Sequence, residues 1–460
     1  MCQGNMQDMT VCARWAIILT LAVCITGAAT ADETQHPEAS SGVDVMAANR
    51  PFRDMRRLTL TVGQDAGDLQ GSDDKVIQAA IDYVYRLGGG TVRILPGVYD
   101  LRNALYLRPD ITLKGSGEKT VIRKTGSVVT ALSRDCDWYE YAVQVESTTG
   151  FTQGAGVMLR SRTGPGDWQY DVLRATITFI DGNVLFLDRM AAKNFWTQNK
   201  ATAASIFPLL TAEHADDVAV EDIVLDGNRD HNEHINGNYA GAVFIQNCNR
   251  WRFTNVVARR YNGDGFSFQV CDDIHFADCR AVDNADLGFH PGSGSQRPVF
   301  RNCIARGNSQ GIFFCWGVSD GRVVDCNLSG NARYGISIGH RDTDNLITGS
   351  TIERNGEAGI LFRKEDGEFR GGHRNRIEGC LIRDNGPDRP GIGIDIQGQT
   401  HDLVIAGNRL ENTATGNQKT GIRIGAEVQR IQLEGNFYGG CPVETEDLRT
   451  LPARSTRVQP

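Results

Sequence analysis

Three residues in one part of the chain have the types and spacing for acid–base chemistry. Asp264 lies in Asn262-Gly263-Asp264-Gly265, Asp286 falls at the equivalent place one repeat later, and His290 follows four residues on. Two carboxylates on one face can exchange protons with a glycosidic oxygen and a water, and an imidazole beside them titrates near neutrality. The competing readings are a turn residue supporting Gly265 for Asp264 and a surface histidine for His290. Around them stand side chains suited to holding a sugar. Phe244, Gln269, Gln310, Phe313 and Trp316 offer rings and amides, and His340, Arg341, Arg363 and Lys364 offer cations for a sugar acid. A polar loop over residues 229–239 adds His231 and His234 as a wall of the same cleft. His231-x-x-His234 with Asp226, Asp230 and Glu233 could hold a metal ion, but an unpatterned polar loop is more simply solvated, and no metal is assigned.

A strict repeat must position these residues. The column Val256, Cys279, Cys303, Cys326, Ser350, Cys380, Asn408, Asn436 steps by 23, 24, 23, 24, 30, 28 and 28 residues. A period of this size signals a solenoid. Each period holds two short apolar pieces, such as Phe300-x-Asn-Cys303 and Gly311-Ile312-Phe313-Phe314, which alternate as strands do. Asn284, Asn308, Asn331, Asn355 and Asn385 follow the Cys column by five residues, and Gly265, Gly288, Gly311, Gly335, Gly359, Gly391 and Gly421 open the next strand. Asn and Gly tolerate the left-handed backbone of tight corners. The period leaves no room for helical crossovers. The expected fold is all-β, a parallel β-helix. In the strand after each corner Gly the middle residue points outward, giving Phe244, Ser267, His290, Phe313, Ser337, Leu361, Gly393 and Arg423, with Asp264, Asp286 and Gln310 on the lip.

This stretch resembles the right-handed parallel β-helix repeats of the pectate lyase and polygalacturonase superfamily, over most of the chain beyond Leu58. The run Ile77-Gln-Ala-Ala-Ile-Asp, followed by Gly88-Gly89-Gly90-Thr-Val-Arg-Ile-Leu-Pro96-Gly97, is similar to the capping helix and first coil of that fold. Asn262-Gly263-Asp264-Gly265 resembles the Asn-Thr-Asp-Gly motif of polygalacturonases, and Asp286 aligns with the first Asp of their Asp-Asp pair. Leu287 replaces the second Asp, Gln310 stands where that family has a His, and Arg363-Lys364 is a loose counterpart of its Arg-Ile-Lys motif. The resemblance implies a polysaccharide cleaved in a groove, with the carboxylates hydrolysing the bond with inversion. Lyases of the superfamily instead abstract the proton beside a uronate carboxylate, neutralised by cations and often calcium. Arg341, Arg363 and Lys364 could serve that chemistry, and no acidic cluster names a calcium site. Hydrolysis is the first reading, elimination or epimerisation of a uronate the second, and a non-catalytic carbohydrate-binding or cell-surface protein the third.

Residues 1–31 read as a signal peptide: Arg14, the apolar stretch from Ala16 to Ile25, then Ala29-Thr30-Ala31. That stretch is too short to span a membrane, so export is expected. Residues 32–57 read as a loose leader. Residues 58–130 hold a helix capped by Ser72 and the first coils, and 131–210 an inserted β subdomain. The main coils cover 211–440, and 441–460 form a tail. Net charge is −8, without the basic face a nucleic-acid binder would carry, although a local basic cleft could still meet an acidic polysaccharide. The oligomeric state is not readable. Nine cysteines follow the leader, and Cys279, Cys303, Cys326 and Cys380 share one inward column as small buried hydrophobes. Neighbouring rungs are spaced near the disulfide window, but stacked side chains point the same way, so bridging is possible rather than expected. Trp138, Tyr139, Tyr141, Trp168, Tyr170 and Trp196 are expected to pack as the insertion's own core, the alternative being a sugar-stacking wall.

Overall fold

The repeat folds because each short apolar strand buries one face against the strands opposite and pairs edge to edge with its equivalent in the next coil. The computed structural model describes residues 58–166 and 168–450. The expected signal peptide and leader lie outside the described residues, as does the last part of the tail. Three parallel sheets wind around one core. Within a coil the chain runs from sheet 3 (Asp264–Gln269) to sheet 1 (His275–Ala277), then sheet 2 (Arg280–Val282), and returns to sheet 3 at Leu287–Pro291. Sheet 1 has thirteen strands, and sheets 2 and 3 have eleven each.

Aromatic side chains fill the middle of the core in columns. Phe253, Phe276 and Phe300 stack at 4.8 and 5.2 Å, and Phe266 stacks on Phe289 at 5.0 Å. The corner asparagines form a ladder. Asn284, Asn308, Asn331 and Asn355 each donate from Nδ2 to the Oδ1 of the next, at 3.0 to 3.2 Å, and Asn385 ends on Gln418 Oε1. All nine described cysteines are free.

A helix, Asp74–Arg86, closes the first end, burying Ile77, Ala80, Ile81 and Val84. Its N-cap is Asp73, whose carboxylate accepts the Lys75 N–H at 3.1 Å, and not Ser72 as expected. The Ser72 carbonyl is instead taken up by the Asp100 N–H. Within the expected tail, Val443–Asp447 adds a last strand to sheet 3 beside Gln418–Ile424. No helix among the described residues is long and apolar enough to cross a membrane.

After Thr120–Lys124 the chain leaves the solenoid and builds a six-stranded antiparallel sheet before returning at Leu210–Glu213. The core of this insertion is aliphatic, with Val143, Leu159, Ile177 and Leu185 at its centre beside Phe195. Trp138, Tyr139, Tyr141 and Trp168 are exposed, against the expectation that they form that core. The alternating strands already supply enough apolar side chains to fill it, leaving the rings on the surface.

Candidate functional site

The outward column of sheet 3 is real up to its last coils. Phe244, Ser267 and His290 stand in register, as do Phe313, Ser337 and Leu361. Beyond Leu361 the partner is Asp395, not Gly393, and Asp395 then meets Arg423. Residues 386–390, with Pro387 and Pro390, lengthen the preceding corner, so the glycine equivalent to Gly359 is Gly393 rather than Gly391.

The three residues singled out for acid–base work are brought together, but as two histidine–carboxylate pairs. His290 Nδ1 lies 2.7 Å from Asp264 Oδ2, while Asp264 Oδ1 accepts the Leu287 N–H at 2.9 Å. Asp264 is fully buried and His290 is 3% exposed. Asp264 is therefore not on the lip, where it was expected. Loop 227–240 covers it so closely that a Cβ on Gly237 would fall 1.7 Å from Asp264 Oδ2. Burial pushes the Asp264 carboxyl up and the adjacent imidazole pulls it down; burial prevails. Burial also pushes the His290 imidazole down, but the Asp264 carboxylate outweighs this and holds it well above its ordinary value. Thus the pair retains a proton through neutrality. His290 Nε2 is buried without a hydrogen-bond partner, and the ring also faces the thiol of Cys315, whose backbone N–H bonds Pro291 O at 3.0 Å. The second pair is more open: His234 Nε2 sits 2.9 Å from both Asp286 oxygens.

The covering loop is held by the insertion. Arg160 Nη2 donates to Glu233 at 2.5 Å, and Arg174 Nη1 donates to Tyr239 O at 2.8 Å. The Arg174 guanidinium lies 4.2 Å above the Phe244 ring, which is 1% exposed and so cannot stack on a sugar. His231 bonds Asn228 instead of joining the site. Gln269 Oε1 accepts the Ser293 N–H at 2.9 Å, tying down the segment 291–295 beside His290. Gln310 is likewise buried, with Oε1 unpartnered.

Farther along the same face the expected binding residues form an exposed cluster. Trp316 is 55% exposed and stacks on His340 at 4.3 Å, 18° from parallel. Glu365 Oε2 holds His340 Nδ1 at 3.2 Å. Arg363 lies 4.3 Å over Phe313 and donates to Ser337 Oγ, Phe314 O and Asp342 Oδ2 at 2.9 to 3.1 Å. Burial raises the Asp342 carboxyl to about 6. Trp316, His340 and Arg341 have positive φ, as do the corner residues of most coils. Lys364 lies beyond them, lining a groove with Asp395, Gln397 and Arg423. Among the described residues no cluster of His, Cys, Asp or Glu could hold a metal ion.

Cys315, Gly237, Arg174 and Asp342 were missed in the sequence. Cys315 was legible in principle, because it falls outside the inward cysteine column. The other three owe their roles to contacts between segments far apart in the chain.

The model of the right-handed β-helix region matches residues 241–408 and 310–444. No curated protein matches the chain. Among solved structures, the A-module of Azotobacter vinelandii mannuronan C-5 epimerase AlgE4 aligns with a TM-score of 0.53 and 18% identity, covering 84% of this chain and 97% of that one. The AlgE6 A-module gives 0.52 and 17%, covering 81% and 91%. PfbA, a surface adhesin of Streptococcus pneumoniae, gives 0.52 and 12%, covering 84% and 92%. Fold and family model together define a right-handed parallel β-helix protein.

Proposed function

We propose that the chain modifies a uronate-containing polysaccharide laid along sheet 3, by proton transfer at the two histidine–carboxylate pairs. The observation that carries this reading is the Asp264–His290 pair at 2.7 Å, with His290 Nε2 left without a partner. Asp264 fixes the ring and stabilises its protonated form, so Nε2–H is suited to donate to the uronate carboxyl as negative charge builds there. His234, oriented by Asp286, is the base for the α-proton. If the proton returns on the opposite face, the product is an epimer; if the 4-linked oxygen leaves, it is an unsaturated sugar. The Trp316–His340 stack provides a platform for a neighbouring ring. Two of the similar β-helices bear the name mannuronan C-5 epimerase, which agrees with a uronate polymer as substrate. Hydrolysis by paired carboxylates fits less well, because each carboxylate is already engaged by a histidine.

Burial of Asp264 and His290 under loop 227–240 favours a second reading, glycan binding without turnover. Polymannuronate, polygalacturonate and a neutral glucan, incubated with purified protein, separate the outcomes. Ultraviolet-absorbing products or an altered epimer ratio by NMR, lost in His290→Gln and weakened in Trp316→Ala, are expected. New reducing ends without ultraviolet absorbance would return the assignment to hydrolysis. Binding without any product would leave a glycan-binding protein.

A further inference from the structure

Sheet 1 carries none of the candidate site residues, yet its outer face holds a groove of about 680 Å³. Arg252, His275, Val299 and Arg322 stand in register on four successive strands of its floor. A second column, two residues on, holds Thr254, Ala277, Arg301 and Val324. Strands lie about 4.8 Å apart, so Arg252 and Arg322 are separated by about 14 Å. All three arginines are exposed, while Val299 and Ala277 between them are half-buried.

Arginines on an open sheet face are ordinarily solvated and idle. These differ in their pairing. The corners of this solenoid neutralise their arginines coil by coil: Arg250 on Asp217 at 2.8 Å, Arg297 on Asp273 at 2.8 Å, Arg374 on Asp344 at 2.7 Å and Arg430 on Asp402 at 2.6 Å. Arg376, farther down sheet 1, is paired with Glu378. Arg252, Arg301 and Arg322 have no ion-pair partner among the described residues. The acids at the groove's edge are themselves engaged, Asp273 by Arg297 and Asp320 by Ser319 Oγ at 2.8 Å. In a chain of net charge −8, three unpaired guanidinium groups spread over four successive strands, with Val299 and Ala277 between them, complement a polymer with repeated carboxylates and flat sugar faces.

We propose that this groove is a second binding site for an acidic polysaccharide, its carboxylates on Arg252, Arg301 and Arg322 and its sugar rings over Val299 and Ala277. It is a holding site on a different face from the chemistry, and it stands even if sheet 3 turns nothing over.

The test is affinity electrophoresis of the full chain through polygalacturonate and through neutral dextran, at low and high salt. Wild type should be retarded by polygalacturonate alone, and less at high salt. The triple variant R252Q/R301Q/R322Q should bind about tenfold more weakly. Arg430→Gln and Arg374→Gln, each removing an arginine already held in an ion pair, should bind as wild type does. The substituted side chains are exposed, so unchanged thermal melts will show that folding is intact. Undiminished retardation of the triple variant, or no retardation of wild type, would overturn the proposal. So would loss of all binding in Trp316→Ala, which would move the site to sheet 3.

Discussion

Asp264 and His290 sit where neither could remain charged alone, and each keeps its proton balance through the other. Removing one partner of such a buried pair costs about 3 kcal/mol, so His290→Gln should lower the urea midpoint by a corresponding amount. The sign of the pH effect follows from the raised folded value. The stabilisation is complete below the ordinary imidazole value of about 6.5 and is lost as pH rises toward the folded value of about 10. Lys124 acts in the opposite sense. Its amine is buried against Asn232 and the Phe207 ring, and burial lowers it to about 7. The unfolded chain binds that proton more tightly, so stability rises with pH from about 7 toward the ordinary lysine value of about 10.4. The two slopes oppose each other across the same window. Denaturation series at pH 7, 8 and 9 should therefore show stability rising with pH in His290→Gln and falling with pH in Lys124→Met.

The elements rest on side-chain ladders as much as on backbone pairing. Asn331 donates to Ala305 O and Asn355 Oδ1, and its own Oδ1 accepts both the backbone and the side-chain N–H of Asn308. Asn331→Ala strands these buried groups and should cost about 2–3 kcal/mol in chemical denaturation. The cysteine columns lend themselves to a similar test. Seven of the nine described thiols are buried, whereas Cys315 and Cys441 are partly exposed. Iodoacetamide on the native protein should modify only those two, with the rest reacting after unfolding, as peptide mass spectrometry would show. This ladder-and-column order was legible in the sequence because every coil restates it, and so was the outward placement of His290. The cover over Asp264 was not: loop 227–240, Gly237 included, has no period, and Arg160 and Arg174 meet it from a segment that no spacing rule connects. The slip from Gly391 to Gly393 has the same origin, a corner lengthened locally at residues 386–390 while the hydrophobic pattern continues unbroken on either side.

At the scale of the molecule, sites and scaffold are separable. The proposed chemistry occupies sheet 3, the proposed holding groove occupies sheet 1, and both are carried by coils that contact chiefly their immediate neighbours. Excising residues 326–349, one period from Cys326 to just before Ser350, should leave a folded protein with one rung fewer, its circular dichroism still that of a β-rich fold. The excised chain should lose the Trp316 platform, because His340 and Asp342 leave with that coil. The same geometry sets how the chain must assemble. From Leu210 onward the strand pairs between successive coils link residues 23 to 34 apart, for example Phe276 with Phe300 and Leu361 with Asp395. The loop to be closed is therefore nearly constant, whatever the length of the chain. Each finished rung is a template for the next, so assembly is a zipper whose difficult step is the first coil, not the last. Lengthening the protein by whole coils would add rungs without adding a slower search.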